Sequence, residues 1–272
     1  MTLAARSLLL LTVCAAAIAT RPVHAQPPMP LPKDLPKSPK VPTTYEGLFA
    51  EREARAVAVV GYLQCMQRTI TALRTGVLGN VPRAWSITCV QQGNEWRGVF
   101  GELTDDFTGF AVRLQFALRG PGVLVKDPVD TAAVNGTARA LLRGLAAPAP
   151  GRGTAEYIPV PLAQKGFTEV WFVPVPSNPT QMTVGGDSLI QMTADGKREL
   201  GHSLAIPPIR QLTVPTSGAS YTLPSLEERL PLLSELVVAR MALDVFPEVR
   251  IRTRQYDAVL TRANGTWTST QR

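Results

Sequence analysis

Apolar side chains recur every three or four residues through a long proline-free stretch, residues 46–74. This spacing is typical of one face of an amphipathic helix, and Gly76 supplies a stop signal. The apolar stripe consists of Val59, Leu63, Met66, Ile70 and Leu73.

The same predicted helix carries a second stripe made only of small residues. Its members superpose on one face at about 100° per residue. They are Ala54, Ala58, Gly61, Cys65 and Ala72. Because small side chains let another backbone approach closely, we expect this helix to be covered on two sides. Alternatively, the alanines only raise the helix propensity.

After the helix the apolar period changes to alternation, which is typical of half-buried strands. Three runs, "AWSITCVQQ", "EWRGVFGEL" and "GFAVRLQFALRG", predict an antiparallel meander, with Gly93-Asn94 as a hairpin turn. Residues 130–143 predict a short helix with Asp130 as its N-cap and Gly144 at its end.

The rest of the chain is predicted as further strands, in "RQLTVPT", "ELVVARMALDVF", "VRIRTRQ", "YDAVLTR" and "TWTSTQ". Asn264-Gly265 predicts another hairpin turn. The fold class predicted is therefore α+β, with a long N-terminal helix packed on a large antiparallel sheet. A β-sandwich with an added helix is the alternative.

The stretch "VGGDSLIQMTADGKREL" combines two glycines with an aspartate and then an Asp-Gly pair. Asp195-Gly196 lies between alternating segments and predicts a hairpin. A phosphate loop would need a helix after the glycines, and a calcium loop would need oxygen ligands at alternate positions. Gly185 and Gly186 instead indicate a bulge or close backbone approach. Asp187 is interpreted as a capping or turn residue, with a catalytic acid as the alternative.

The string "VGGDSLIQMTADG", followed near the end of the chain by "NGTW", resembles a group of exported bacterial proteins of unknown function. In that group GGD and DG bracket one strand, and a Gly-x-Trp hairpin lies near the C-terminus. The resemblance extends over residues 95–270. It implies an architecture and a cell compartment, and it assigns no catalytic residue.

Residues 1–25 have the pattern of a secretory signal peptide. Arg6 precedes the apolar run "SLLLLTVCAAAIA", and "VHA" places cleavage before Gln26. The run is too short to span a ~30 Å hydrocarbon core comfortably, although an uncleaved anchor is the alternative. Val13 is too large for a lipid-attachment signal at Cys14. We predict a periplasmic or secreted protein with no transmembrane span after cleavage.

Residues 26–44 are predicted to be a proline-rich linker, because seven prolines favour extended polyproline II structure. A docking strip for a proline-recognising groove is the alternative. Residues 45–272 are predicted to form one α+β domain, with a subdomain boundary near 145–154 as an alternative. The net charge of +7 includes the linker lysines, and basic residues of the domain are scattered among acids. We therefore predict no nucleic-acid partner.

The cysteines of the predicted mature chain are Cys65 and Cys89. In an exported protein such a pair predicts one disulfide, which would stabilise the fold by roughly 3 kcal/mol. A catalytic thiol would need a histidine base, and His202 is the one histidine outside the signal.

The chain has few residues of the types that common catalytic sites require, which favours a non-catalytic protein. A single histidine is too few for a histidine zinc site, and the chain contains no Gly-x-Ser-x-Gly nucleophile motif. We predict an exported binding or assembly module of the cell envelope, with no cofactor, no metal, and an envelope protein or ligand of unknown identity as partner. The alternative is a secreted hydrolase that uses carboxylates, drawn from Glu102, Asp105, Asp106 and Asp187.

Overall fold

The computed structural model describes most of the chain from residue 44 onward. The described residues are 44–76, 78–82, 85–104, 109–117, 123–124, 129–146, 157–174, 180–204, 209–227 and 229–272. The predicted signal peptide, the linker up to residue 43, and Asp105 and Asp106 lie outside them.

Three helices and fourteen strands occur in the described part of the chain. The helices are α1 (Tyr45–Arg74), α2 (Thr131–Ala146) and α3 (Leu233–Ala242). The strands are β1 (Ser86–Gln92), β2 (Glu95–Leu103), β3 (Phe110–Ala117), β4 (Val123–Leu124), β5 (Tyr157–Gln164), β6 (Phe167–Pro174), β7 (Gln181–Val184), β8 (Ser188–Thr193), β9 (Glu199–Leu204), β10 (Arg210–Thr213), β11 (Tyr221–Pro224), β12 (Glu248–Arg252), β13 (Tyr256–Thr261) and β14 (Trp267–Gln271).

The predicted α+β class with a long N-terminal helix is confirmed. The strands are divided among sheets of order β1-β2-β3-β4, β5-β6-β8-β9 and β11-β12-β13-β14, plus the pair β10-β7. Neighbouring strands are antiparallel except β11 and β12, which are parallel and are connected through α3. Parallel neighbours need such a crossover, because a hairpin cannot join them.

The predicted turns are found between β1 and β2, β8 and β9, and β13 and β14. Gly93, Gly196 and Gly265 adopt φ values of 62°, 67° and 62° in these connections. This left-handed region is open to glycine without a steric penalty. The predicted meander of β1, β2 and β3 is also confirmed by their antiparallel registers.

Helix α1 begins and ends where the sequence predicts. The Gly47 amide donates to the Thr44 side chain at 3.2 Å, which caps the first turn, and Gly76 follows the last turn with φ 73°. The helix packs against α3, β1, β2 and β5, as expected for a helix covered on two sides.

The buried face of α1 differs from the predicted apolar stripe. Val59 is fully buried, whereas Leu63 and Met66 are half-buried. The helix contacts elements on two sides, so its buried positions extend beyond one stripe. They are Tyr45, Phe49, Glu53, Ala56, Val59, Tyr62, Cys65, Thr69 and Ala72.

The prediction of a strand in "ELVVARMALDVF" is wrong, because these residues belong largely to α3. Residues 233–239 of this helix are all buried, so no polar stripe marks a helical period. Helix α2 also continues past Gly144 to Ala146. Within α2, Gly136 lies against the carbonyl of Ala194, where a side chain would overlap the backbone of the β8–β9 turn.

The largest cluster of buried apolar residues joins α1 and α3 to β5, β7, β11 and β12. A second cluster packs α2 against the first sheet. No helix in the described ranges combines the length and the apolar composition that crossing a membrane requires.

Candidate functional site

The predicted disulfide joins α1 to the first sheet. Cys65 on α1 and Cys89 on β1 are bonded, with their Cα atoms 6.2 Å apart. Both residues are fully buried, and the Thr69 hydroxyl lies 3.9 Å from the Cys89 sulfur. The disulfide therefore fixes the middle of the helix against the edge strand of this sheet. Both sulfurs are in this bond, so neither cysteine is a free thiol in the structure.

Two glycines permit this close approach of helix and sheet. Gly61 on α1 lies against the indole of Trp96 on β2, and a Cβ at position 61 would overlap that ring. Gly98 on β2 lies against Thr69 in the same way. A glycine inside a helix lowers the stability of the helix by about 1 kcal/mol relative to alanine. At position 61 a glycine is needed because any larger side chain would overlap Trp96.

An open groove of about 610 Å³ lies between α1 and the tip of the β1–β2 hairpin. We call it the Trp96 groove. Helix α1 contributes three residues at intervals of three and four, so they share one face of the helix. The lining consists of Gly61, Gln64 and Arg68 from α1 and Gln92, Asn94, Glu95 and Trp96 from the hairpin.

The lining of the Trp96 groove is polar on both sides. Three of its side chains are amides, each of which both donates and accepts hydrogen bonds. Arg68 and Glu95 carry opposite charges, so the formal charge of the lining is zero. Glu95 also accepts from the Arg97 guanidinium at 3.3 Å. The groove therefore offers hydrogen-bond donors and acceptors together.

Trp96 differs from the other tryptophans of the chain. Its half-buried ring packs edge-on against Tyr62, with ring centroids 6.0 Å apart. In the other three the indole nitrogen donates to a glutamate at 2.9 to 3.0 Å: Trp85 to Glu102, Trp171 to Glu169 and Trp267 to Glu53. No acceptor for the Trp96 N–H occurs among the residues that the structure describes. This nitrogen is also the indole atom nearest to the Cβ position of Gly61, so it lies at the wall of the groove.

Asp187, the acidic candidate from the sequence, is a capping residue of α3. The Ser234 amide donates to Asp187 Oδ2 at 3.0 Å, 47 residues further along the chain. Burial raises the pKa of the Asp187 carboxyl, although its hydrogen bonds with Ser234 and the charge of Arg52 oppose this effect. Asp187 therefore caps a distant helix, whereas the sequence predicted a local capping or turn role at the start of its own strand.

The two glycines before Asp187 allow the chain to lie close to α3 and β5. Gly185 and Gly186 adopt φ values of 91° and 67°, and the Gly185 amide donates to the Ser234 hydroxyl at 3.0 Å. The Tyr157 hydroxyl donates to the Gly185 carbonyl at 3.2 Å and occupies the space that a Cβ of Gly186 would need. The close approach at these glycines is thus made by the side chains of Ser234 and Tyr157, and not by another backbone as predicted.

Glu235 is a buried carboxylate for which the sequence predicted no role. It accepts from Arg210 at 2.5 Å, from the Ser225 hydroxyl at 2.7 Å and from the Leu232 amide at 2.9 Å. Burial raises its pKa, while these donors act in the opposite direction. The available signal was a glutamate three residues after the helix cap, a known capping position.

Of the other candidates that the sequence predicted, the structure describes Glu102 and His202. Glu102 is hydrogen-bonded to Arg113 at 2.8 Å and to Trp85 at 2.9 Å, and these bonds lower its pKa. His202 is exposed on β9. Glu102 and Asp187 thus contact different elements, and the structure does not bring them together as a pair.

Two charged residues of α1 hold the helix to its neighbours. Glu53 pairs with Arg240 of α3 and accepts from Trp267 at 3.0 Å. Arg55 reaches both carboxylate oxygens of Glu169 on β6, at 2.8 and 3.0 Å. These ion pairs position the helix that forms one wall of the Trp96 groove.

Compared with protein families, with curated proteins and with solved structures, the chain gives no match in any of the three. The resemblance to exported bacterial proteins that share the Gly-Gly-Asp hairpin therefore stays a prediction.

Proposed function

We propose that this protein is an exported, non-catalytic binding module of the cell envelope, and that the Trp96 groove is its ligand site. The observation that carries the proposal is the groove itself. Its volume of about 610 Å³ lies within the roughly 300–1,000 Å³ typical of small-molecule sites.

The walls of the groove favour a preformed site. One wall is the middle of a long helix and the other is a two-stranded hairpin, and the Cys65–Cys89 disulfide connects these elements next to the groove. Side chains on braced regular elements hold their positions better than side chains on loops. A ligand would therefore bind with little cost for ordering the protein.

The side chains of the groove favour binding over catalysis. Glu95 is the one carboxylate among the described residues of the lining, and it is paired with Arg97. A hydrolase of the two-carboxylate type needs a second acid at about 5–9.5 Å. Of the four candidates for that chemistry, Glu102 and Asp187 are engaged by Arg113 and Ser234 elsewhere, and Asp105 and Asp106 lie outside the described residues.

Export is supported by the signal-peptide pattern of residues 1–25 and by the disulfide. Disulfides persist in oxidising compartments and are rare where thiols are kept reduced. The compartment proposed is the periplasm or the extracellular space.

The test is native mass spectrometry of protein purified from the periplasm of its own cells. We expect a non-covalently retained mass on the wild-type protein and on Gln67→Ala, and a smaller retained fraction on Gln64→Ala. Both glutamines are exposed on α1, and only Gln64 lines the groove. Equal retention by the two variants would place the ligand elsewhere, and a substrate turned over by the protein would contradict the non-catalytic assignment.

A further inference from the structure

We infer that the ligand of the Trp96 groove is a neutral saccharide, such as a short oligosaccharide of the envelope. This inference rests on the proposed function, since it names the chemical class of the ligand for the same site. The charge of the lining, its hydrogen-bonding groups and Trp96 each restrict the chemical class of the ligand.

The charge of the lining argues against ionic ligands. Among the residues that line the groove, Arg68 is the one cation and Glu95 the one anion, so neither sign predominates in the lining. Recognition of phosphate or carboxylate groups favours bidentate arginines with no carboxylate beside them. Recognition of a cation favours an aromatic cage or several carboxylates. A neutral ligand meets neither repulsion nor an uncompensated charge.

The hydrogen-bonding groups match hydroxyls. A hydroxyl both donates and accepts, and each amide of Gln64, Gln92 and Asn94 does the same. An apolar ligand would bury these polar groups without partners, which costs free energy for each group.

Trp96 supplies the two features that amides cannot. Its ring gives an apolar surface on which the C–H face of a sugar can rest. Its N–H has no acceptor among the described residues, whereas the other three indoles donate to glutamates. An oxygen of the ligand would provide that acceptor.

The experiment follows the four indole N–H signals by NMR while triacetylchitotriose or maltotriose, two neutral trisaccharides, is added to the full-length mature protein. We expect a shift of the Trp96 signal, assigned with Trp96→Phe, and little change in Trp85, Trp171 and Trp267. Calorimetry should then give a Kd about 2- to 10-fold weaker for Gln64→Ala, the effect of one lost neutral hydrogen bond. Gln67→Ala, its matched control, should bind as the wild type does.

Trialanine and inorganic phosphate distinguish the ways in which the inference can fail. A Trp96 shift with trialanine alone would overturn the saccharide class while leaving a binding site in the groove. A shift with phosphate alone would overturn the argument from neutral charge. No shift with either saccharide overturns the inference. If purified protein also retains its native mass equally in Gln64→Ala and Gln67→Ala, the proposed site fails as well.

Discussion

Replacing Arg55 by methionine should strongly destabilise the fold, because it leaves a buried carboxylate without its counter-ion. Glu169 on β6 is fully buried, and both of its oxygens accept from the Arg55 guanidinium at 2.8 and 3.0 Å. Trp171 also donates to Glu169, at 2.9 Å. Methionine keeps an apolar stem like that of arginine and removes the two N–H donors that bond to Glu169.

The magnitude follows from the burial of Glu169. Removing one partner of a buried ion pair lowers the free energy of unfolding by about 3–5 kcal/mol, because the remaining charge is buried without hydration and without a counter-ion. That is a large share of the roughly 5–15 kcal/mol by which a domain is stable. In Arg55→Met/Glu169→Met the buried charge is removed as well, so most of the loss should be recovered.

Urea unfolding of the purified variants measures these free energies. Arg252→Met is the matched control, because Arg252 forms an exposed pair with Asp257 at 3.1 Å. Exposed pairs contribute about 0–1 kcal/mol, so the control should unfold close to the wild type. The reasoning is refuted if Arg55→Met loses no more than the control, or if the double variant is no more stable than Arg55→Met.

Three further predictions concern stability. Removing the disulfide with Cys65→Ala and Cys89→Ala together should lower the unfolding free energy by roughly 3 kcal/mol, as measured by urea unfolding without reductant; an unchanged value would contradict it. Burial raises the pKa of Asp187, so its carboxyl is protonated more readily in the folded state than in the unfolded chain. Relative to Asp187→Asn, the wild type should therefore lose stability as the pH rises above about 4, the ordinary aspartate pKa, until the raised pKa is passed. A difference that is constant with pH would contradict this. A chain that starts at Thr44 should have an unfolding free energy within ~0.5 kcal/mol of that of the chain that starts at Gln26, because Thr44 already caps α1. A large loss of stability would mean that residues 26–43 dock on the folded part.

Elements with local signals were predictable from the sequence. The helix α1 follows from apolar spacing and a glycine stop, and its bounds agree with the prediction to one residue at the start. The three hairpins follow from glycines that adopt positive φ in two- to five-residue turns. The disulfide follows from the number of cysteines together with the predicted signal peptide.

Features that depend on tertiary packing were not predictable. Helix α3 was interpreted as a strand because it is buried on nearly all sides, and burial removes the polar stripe that marks a helix. The cap that Asp187 provides joins residues 47 positions apart, so no local pattern indicates it.

The Trp96 groove belongs to the same class of features. Its two walls are separate in the sequence, and their distance is set by the contact between Gly61 and Trp96 and by the disulfide. The sequence predicted only that small residues on α1 would let another element approach. It contained no signal for which polar residues would line the space between them.

A crystal structure of the protein purified with its native ligand tests the central claim most directly. The account predicts ligand density in the Trp96 groove, with an oxygen within hydrogen-bonding distance of Trp96 Nε1 and contacts to Gln64. Density at another site, or residues 26–43 of the chain occupying the groove, would contradict it.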